Sequence, residues 1–279
     1  MKVNVRISVL CLVCLAIYLF VSAPPDLPDG TVGQVEMVKI SDVLDVIAFE
    51  NELVREIYTR EIVGEGQGVG LKFSEDWRKD DVEAGPLPAL FLREAASSIS
   101  ARPFPLGLFL GSDQAISQSN QFSGAQAEAF KKIRETRKAQ RFFAEDTQLF
   151  TAMYPDIASA PPCVKCHNGH QDSPKQDWVL NDVMGATTWT YPKTEVSLSE
   201  ALALIRSTRQ GFADAYRAYL TKVKGFSQEI KIGEKWPQEG KFLPSLETFL
   251  NQFEQRASAM TISRLLKLEV GALRSSSDH

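Results

Sequence analysis

The first long pattern in the chain is an apolar run from Ile7 to Ala23, which Lys2 and Arg6 precede and Pro24 follows. At a rise of about 1.5 Å per residue, the run with its flanks just spans a hydrocarbon core of roughly 30 Å. It also exceeds the roughly 7–15 apolar residues of a cleavable signal. We therefore predict an uncleaved membrane anchor at residues 1–23. The alternative is a signal cleaved after the small residues that end at Ala23.

The charge around this run predicts its orientation. Lys2 and Arg6 lie before it, and the positive-inside rule keeps such a basic flank in the cytoplasm. The remainder of the chain is then expected on the periplasmic side of a bacterial inner membrane. Residues 1–23 would hold it there, or it would be released if the segment were cleaved.

The next pattern is a set of apolar residues spaced three and four apart, which is typical of one face of an α-helix. It predicts a helix over residues 34–63, about 45 Å long. We expect the glycines at 64, 66, 68 and 70 to end this helix as a flexible connection, because no phosphate-loop or dinucleotide spacing follows them. The apolar positions are Ile40, Val43, Leu44, Ile47, Val54, Ile57 and Tyr58.

Further periodic segments predict a mixture of helices and strands. The helix over 124–146 would place Lys131, Arg134, Lys138 and Arg141 on one face, either as a solvated surface or as a docking site for an acidic partner or a haem propionate. The other predicted elements are a short helix from Pro86 through Ala95, strands at 106–110, 149–154 and 183–191, and helices at 199–224 and 244–268.

Composition and charge narrow the class of protein. The chain has 279 residues, of which 44% are hydrophobic and 24% charged, which is ordinary for a globular protein. Lys plus Arg is 31 and Asp plus Glu is 35, a net charge of −4 with no long basic stretch. Nucleic acid is therefore not expected as a partner.

The cysteines form two pairs with different surroundings. Cys11 and Cys14 lie in the apolar run, where small apolar residues are ordinary. Cys163 and Cys166 belong to Cys163-Val-Lys-Cys166-His167, the C-x-x-C-H signature of c-type haem attachment. Two thiols within one helical turn can each add to a porphyrin vinyl group, and the following imidazole can bind the iron. The motif predicts one covalent haem c, with His167 as the iron ligand.

Two other uses of this motif stay open at the level of the residues. A C-x-x-C pair can be half of a zinc site or a redox dithiol. The exported part has no second cysteine pair to complete four zinc ligands, and its only other histidines are His170 and His279. Haem attachment also takes place outside the cytoplasm, where the leader directs the chain.

At these residues the chain resembles the extracytoplasmic c-type haem domains with a PAS-like fold. Such domains precede bacterial histidine kinases, cyclases and chemoreceptors, and they also occur as stand-alone exported proteins. The similarity covers roughly residues 34–192 and is strongest around the motif. It is carried by Cys163 to His170, Ser173 to Lys175, Asp177-Trp178 and Asn181 to Ala186, with weaker likeness at Pro86 to Ala89, Phe91 to Arg93 and Ser117 to Asn120.

The resemblance implies an α+β fold in which a PAS-like antiparallel sheet carries the haem. It implies attachment at Cys163 and Cys166, His167 as the proximal ligand, and a sheet strand over 182–191. With the long N-terminal helix and additional C-terminal helices, it gives three segments: residues 1–23 as anchor, 34–192 as haem domain and 193–273 as helical extension. Beyond Pro192 the chain departs from the sensor relatives, because no second apolar span follows.

The sixth iron ligand is the residue that would separate the possible functions. His170 is too close to His167 to reach the opposite face of a porphyrin, so we expect a structural role for it, and His279 is terminal. Thioethers are the remaining options that the protein can supply, although each Met is an equally ordinary core residue. The four methionines after Met1 are Met37, Met153, Met184 and Met260, and the expected aromatic walls of the haem pocket are Trp178 and Trp189.

Two function classes remain. The first is a haem-based redox or gas sensor without its own output domain, whose ligand would be NO, CO or O₂ at an open or labile sixth site. The second is a membrane-tethered periplasmic electron-transfer protein, for which a stable sixth ligand is typical. An enzyme such as a peroxidase is a distant alternative, since no acid/base pair is evident in the sequence.

Overall fold

The computed structural model describes residues 37–277, with side chains for residues 37–267. The predicted anchor at residues 1–23 and the C-terminal His279 lie outside this range. Within it, no helix is both long enough and apolar enough to cross a membrane.

Helices form most of the described chain. A π-helical segment, Tyr58–Gly64, continues the first long helix without a break, and 3₁₀ turns lie at Gln118–Asn120 and Pro237–Glu239. The α-helices are α1 (Ile40–Ile57), α2 (Glu65–Gly68), α3 (Pro88–Ser100), α4 (Gly124–Thr136), α5 (Pro161–Gly169), α6 (Leu198–Val223) and α7 (Leu246–Ser277).

One four-stranded antiparallel sheet organises the middle of the chain, in the spatial order β4, β7, β6, β5, and three two-stranded pairs complete the set: β1 with β8, β2 with β3, and β9 with β10. The strands are β1 (Met37–Lys39), β2 (Phe73–Ser74), β3 (Gly85–Pro86), β4 (Gly107–Gly111), β5 (Gln140–Ala144), β6 (Leu149–Ile157), β7 (Val183–Tyr191), β8 (Glu195–Ser197), β9 (Lys231–Gly233) and β10 (Phe242–Pro244). The fold is therefore α+β.

The sheet has different partners on its two faces. Alternation along the strands sends Ala152 and Trp189 to one face, where they pack with α1 and α6, and Met153 and Ala186 to the other, where they pack with α4. α6 and α7 lie over α1 and α3 and form a second, aromatic-rich core with them. The described residues make one compact unit. A division after Pro192 stays a prediction, and residues on both sides of it share this core.

The first predicted helix differs from the structure at both ends. It begins at Ile40, after strand β1, and its helical backbone runs past Val63 through the π-helical segment and α2 to Gly68. The prediction that the glycines from 64 onward form a flexible connection is wrong for Gly64, Gly66 and Gly68, which are helical. A Cβ on Gly66 would lie 3.1 Å from Leu71 Cδ1, so a larger residue there would have to displace the Leu71 side chain.

The predicted helix over 124–146 is also wrong in its second half. Helix α4 ends at Thr136, and Arg137 adopts a left-handed conformation with φ of 57°. Residues 140–144 then form β5, which pairs with β6 in antiparallel register. Ladder hydrogen bonds and the burial of Ala144 outweigh local helix propensity in this segment.

The remaining predicted elements are confirmed, with shifts at their ends. The helix at Pro86–Ala95 is α3, which extends to Ser100, and the strand predicted at 149–154 is β6, which extends to Ile157. The helices at 199–224 and 244–268 are α6 and α7, and the strand at 183–191 is β7, an inner strand of the sheet. The short strands β1, β2, β3, β8, β9 and β10 were not predicted, because two or three residues are too few for a periodic pattern.

Candidate functional site

The Cys163-Val-Lys-Cys166-His167 motif lies on the short helix α5, directly after β6. Pro161 and Pro162 occupy its first positions, where the fixed φ of proline favours the start of a helix and the missing N–H costs no hydrogen bond. Cys163, Cys166 and His167 follow at helical spacings of three and four, so they share one side of α5. The structure thus brings the three predicted site residues together.

The chain that leads into α5 is held by contacts from two directions. The Arg60 guanidinium, on the π-helical segment, donates to the Ser159 carbonyl oxygen at 2.6 Å. Ala158 is paired through its backbone with the loop before β7: its N–H donates to Asp182 O at 2.9 Å, and its carbonyl accepts from Asn181 N–H at 3.0 Å. The position of α5 is therefore tied to both the helical layer and the sheet.

The C-terminal end of α5 is fixed by side chains. The Asn168 amide donates to Trp178 O and accepts from Trp178 N–H, both at 2.9 Å. His170, just beyond the helix, accepts from Asp172 N–H through Nδ1 and faces Glu75 Oε1 through Nε2 at 3.2 Å. Both ring nitrogens of His170 have partners, which supports the predicted structural role of this histidine.

A small apolar cluster lies beside the motif. Ala158, Trp178 and Met184 are buried together, and Cys163 and Val164 pack against them. The His167 ring meets the Trp178 ring edge to face, with their centroids 6.4 Å apart. Trp178 therefore borders the motif, and its role as a wall of a haem pocket stays a prediction.

Both thiols are free and half-buried. Burial raises the pKa of Cys163 and of Cys166 above the ordinary value of a thiol. A dithiol oxidoreductase depends on a lowered thiol pKa, so the environment disfavours the redox-dithiol alternative. Within residues 37–267, no three His, Cys, Asp or Glu side chains come together to hold a metal ion, and the zinc alternative lacks its further ligands there.

His167 has the properties of an unused metal ligand. Burial lowers its pKa, so the imidazole is neutral at pH 7, which is the form that binds a metal. Its Nδ1 atom is buried without a hydrogen-bond partner, and such a polar atom carries a cost unless something satisfies it. Two free thiols within one helical turn and this unpartnered imidazole fit a covalently attached haem.

A partly buried ion pair lies close to the motif. Arg55, in the last turn of α1, donates to Asp156 Oδ1 at 2.7 Å and to Thr187 Oγ1 at 3.3 Å. Burial alone would lower the pKa of Arg55, but Asp156 and Glu52 outweigh it and the pKa is raised. Asp156 raises the pKa of Cys163 and Arg55 lowers it, although burial has the larger effect. Asp156 also raises the pKa of His167, against the larger lowering by burial.

A cavity opens on the Cys166 side of α5. Its volume is about 530 Å³, which is within the range of about 300–1,000 Å³ typical of small-molecule sites. This volume leaves room for a small ligand next to the motif, and the lining includes both apolar and acidic side chains. The cavity is lined by Cys166, Pro162, Phe73, Glu75, Leu87 and His170, among others.

The other predicted candidates lie apart from the motif. Met153 is fully buried between the sheet and α4, and Met37 and Met260 are about half exposed. Trp189 is a core residue beneath α1, which corrects its expected role as a pocket wall. Of the four methionines within residues 37–267, Met184 alone belongs to the cluster beside α5.

The predicted basic face does not form, because its residues lie on different elements. Lys131 and Arg134 are on α4, Lys138 follows it, and Arg141 is on β5. Arg134 pairs with Asp113, and Arg141 donates to Asp45 at 2.5 Å. Two of the four basic side chains are therefore engaged in ion pairs within the protein.

Sequence reasoning missed Arg55, Arg60 and Asp156. Arg55 and Arg60 read as the polar side of an amphipathic helix, and Asp156 follows a strand-like run. In the sequence, the available signal was that each charged residue lies at the edge of an apolar stretch. Only the packing of α1 against β6 shows that Arg55 and Asp156 form a pair.

Three comparisons place the chain among known proteins. A family model described as Tll0287-like matches residues 46–192, just over half of the chain. Among solved structures, the crystal structure of the cyanobacterial heme-protein Tll0287 is 12% identical, with a TM-score of 0.38, and the match covers 57% of this chain and 97% of that chain. A comparison with curated proteins gives no match.

Proposed function

This chain belongs to the Tll0287-like family, and on that premise we propose that it is an exported haem protein with one covalent haem c. Cys163 and Cys166 would form the two thioether bonds, and His167 would bind the iron. The family's namesake is a cyanobacterial heme-protein. The observation that carries the proposal is the C-x-x-C-H motif on α5, with two free thiols beside a neutral imidazole whose Nδ1 is unpartnered.

The residues on and around α5 would have different roles in such a haem site. Each thiol of Cys163 and Cys166 supplies a sulfur and a hydrogen to a vinyl group, so that no oxidant is needed. Trp178 and Met184 shield the Cys163 side from water, and Asn168 fixes the end of the helix. When bound, the haem supplies an iron that can change oxidation state or bind a diatomic gas.

For the biological role we propose a haem-based redox or gas sensor that acts through a partner, built on a PAS-like sheet. A cavity beside Cys166 supports the idea that a small molecule has access to the site. An electron-transfer role is the second candidate. It is favoured by Met184, whose thioether lies in the cluster with Cys163 and would suit a stable sixth ligand.

The attachment proposal is tested on the full chain produced together with a c-type haem maturation system. We expect the acid-denatured protein to carry the added mass of one haem and to keep a haem stain on a denaturing gel. The double variant Cys163→Ala/Cys166→Ala should lose both signals, whereas the matched variant His170→Ala should keep them. Haem that acidified organic solvent extracts from the wild type would refute covalent attachment.

The sensor and electron-transfer roles are separated by a ligand test on the reduced protein. An open or labile sixth site predicts that CO or NO shifts the main absorption band within seconds to minutes. A spectrum that is low-spin in both oxidation states and unaffected by saturating CO would instead support electron transfer.

A further inference from the structure

The π-helical segment Tyr58–Gly64 occupies an unusual place in the fold. It joins α1 to α2 without a break, and Tyr58, Thr59, Ile62 and Val63 are its buried side chains. π-helices are rare, and the extra residue in each turn makes them less well packed than α-helices, so they often mark functional sites. The two charged residues of the segment, Arg60 and Glu61, leave the helix toward different neighbours.

One side of the segment contacts the attachment helix. Arg60 donates to Ser159 O at 2.6 Å, which holds the chain four residues before Cys163. A Cβ on Gly64 would lie 3.8 Å from Pro162 Cγ, so the proline ring at the start of α5 lies within van der Waals reach of the segment. A displacement of α5 therefore acts on this segment directly.

The other side of the segment contacts the C-terminal helix α7. Glu61 Oε1 pairs with Arg256 Nη1 at 2.6 Å. The same helix continues along α1, where Thr261 donates to the fully buried Glu50 at 2.9 Å and Arg264 donates to Asp45 O at 3.3 Å. Consecutive residues of one π-helical turn thus connect the attachment site to α7.

Arg55, at the end of α1 next to the segment, forms a partly buried ion pair with Asp156 of β6. Charges in a poorly solvated environment interact more strongly than charges in water. Asp156 lies near the end of β6, on the chain that leads into α5, and it accepts a hydrogen bond from Arg55. A change of one unit charge at an iron bound by His167 would therefore act on this pair of charges. A displacement of Arg55 would then act on α1 one turn before the π-helical segment begins.

We propose that the π-helical segment couples the oxidation state of the haem site to the position of α7. The inference rests on the proposed haem function and goes beyond it, because it names the element that carries the signal and the helix that receives it. In the proposed second state, the bulge shifts along the chain and Glu61 withdraws from Arg256, with which it is paired in the structure. Coupling of two sites requires such an element with two states that both sites bias.

The experiment measures amide hydrogen exchange of the haem-loaded full chain, oxidised and reduced, at one pH. We expect exchange in residues 250–266 of α7 to differ between the two states by about fivefold or more, the lower end of ordinary allosteric coupling. The variants Glu61→Gln and Arg256→Gln should each abolish the difference, and their absorption spectra should stay unchanged. Both residues are partly exposed, so neither change is expected to unfold the protein.

The matched control is Arg217→Gln, which breaks the exposed pair of Arg217 with Asp214 within α6 and should leave the difference intact. Equal exchange of α7 in both states of the wild type, with complete reduction shown by the spectrum, would refute the coupling and leave the haem proposal standing. A redox difference that persists in both Glu61→Gln and Arg256→Gln would also refute it. Absence of covalent haem would be seen in the mass spectrum beforehand and would overturn both proposals.

Discussion

His167 and His170 are three residues apart, yet their surroundings assign them different chemistry. His167 is neutral and its Nδ1 is unpartnered, whereas both nitrogens of His170 are engaged by Asp172 and Glu75. We expect His167→Ala to keep the covalent haem but to change its absorption spectrum, since the iron loses its imidazole. His170→Ala, the matched change, should leave the spectrum unaltered. Identical spectra for wild type and His167→Ala would show that this imidazole is not an iron ligand.

Met184 and Met153 form a second pair of residues that the sequence treats alike and the structure separates. Met153→Ala should destabilise the protein by about 2–5 kcal/mol, because it empties a fully buried site between α4 and the sheet. It should not alter the haem spectrum. Met184→Ala should change the spectrum, because Met184 lies beside Cys163. Urea unfolding and absorption spectra of both variants test this, and a spectral change in Met153→Ala alone would contradict the placement.

Glu50 is a fully buried carboxylate whose partners come from two other helices. Arg209 on α6 donates to Glu50 Oε2 at 2.8 Å, and Thr261 on α7 donates to Oε1 at 2.9 Å. Arg209→Met should cost about 3–5 kcal/mol of unfolding free energy, because it leaves a buried charge without its ion-pair partner. Glu50→Gln removes the charge itself and should cost less, about 1–3 kcal/mol. Denaturant unfolding measures the loss of unfolding free energy in the two variants. A larger loss in Glu50→Gln than in Arg209→Met would contradict this account of the buried charge.

Helices α3 and α6 pack closely against each other at Gly211. A Cβ at this position would lie 2.5 Å from Ile99 Cγ1 and 3.1 Å from Ala95 O. Gly211→Ala should therefore destabilise the protein by about 1–3 kcal/mol, although alanine is the better helix former. Gly68 in α2 has open space around its Cβ position, so Gly68→Ala should stabilise by up to about 1 kcal/mol. Melting temperatures test the pair, and a stabilising Gly211→Ala would contradict this account of the helix crossing.

The elements also show why part of the fold was predictable. β7 and α6 have long, regular patterns, and the sequence predicts both to within one residue. The segment after Arg137 reads as helix because its charges continue the spacing of three and four, but the left-handed Arg137 and the ladder to β6 turn it into a strand. The spacing of the motif predicted that Cys163, Cys166 and His167 share one face of a helix. The ion pairs around them depend on distant packing, so no local pattern reports them.

At the scale of the whole molecule, we predict that the N-terminal apolar run sets the side of the membrane on which the haem would lie. We expect the full-length protein to sediment with membranes and to face the periplasm, because the basic flank precedes a run of spanning length. A reporter enzyme that is active only outside the cytoplasm should therefore be active when it is fused after His279. Activity of a reporter that works only in the cytoplasm would contradict this orientation, and a soluble form starting near Pro24 would contradict the anchor alone.

The pairing of β1 with β8 brings Met37 next to Ser197, and Ile40 N–H donates to Thr194 O at 2.9 Å. The matched region, residues 46–192, contains neither strand. A fragment trimmed to that region would lose the covering helices and leave Tyr58, Phe91 and other buried aromatics exposed to water. Transplanting the haem site into another protein would therefore require residues 37 to about 266 as a unit. The natural places to splice this unit are its two ends, and a join at residue 192 would cut through the core.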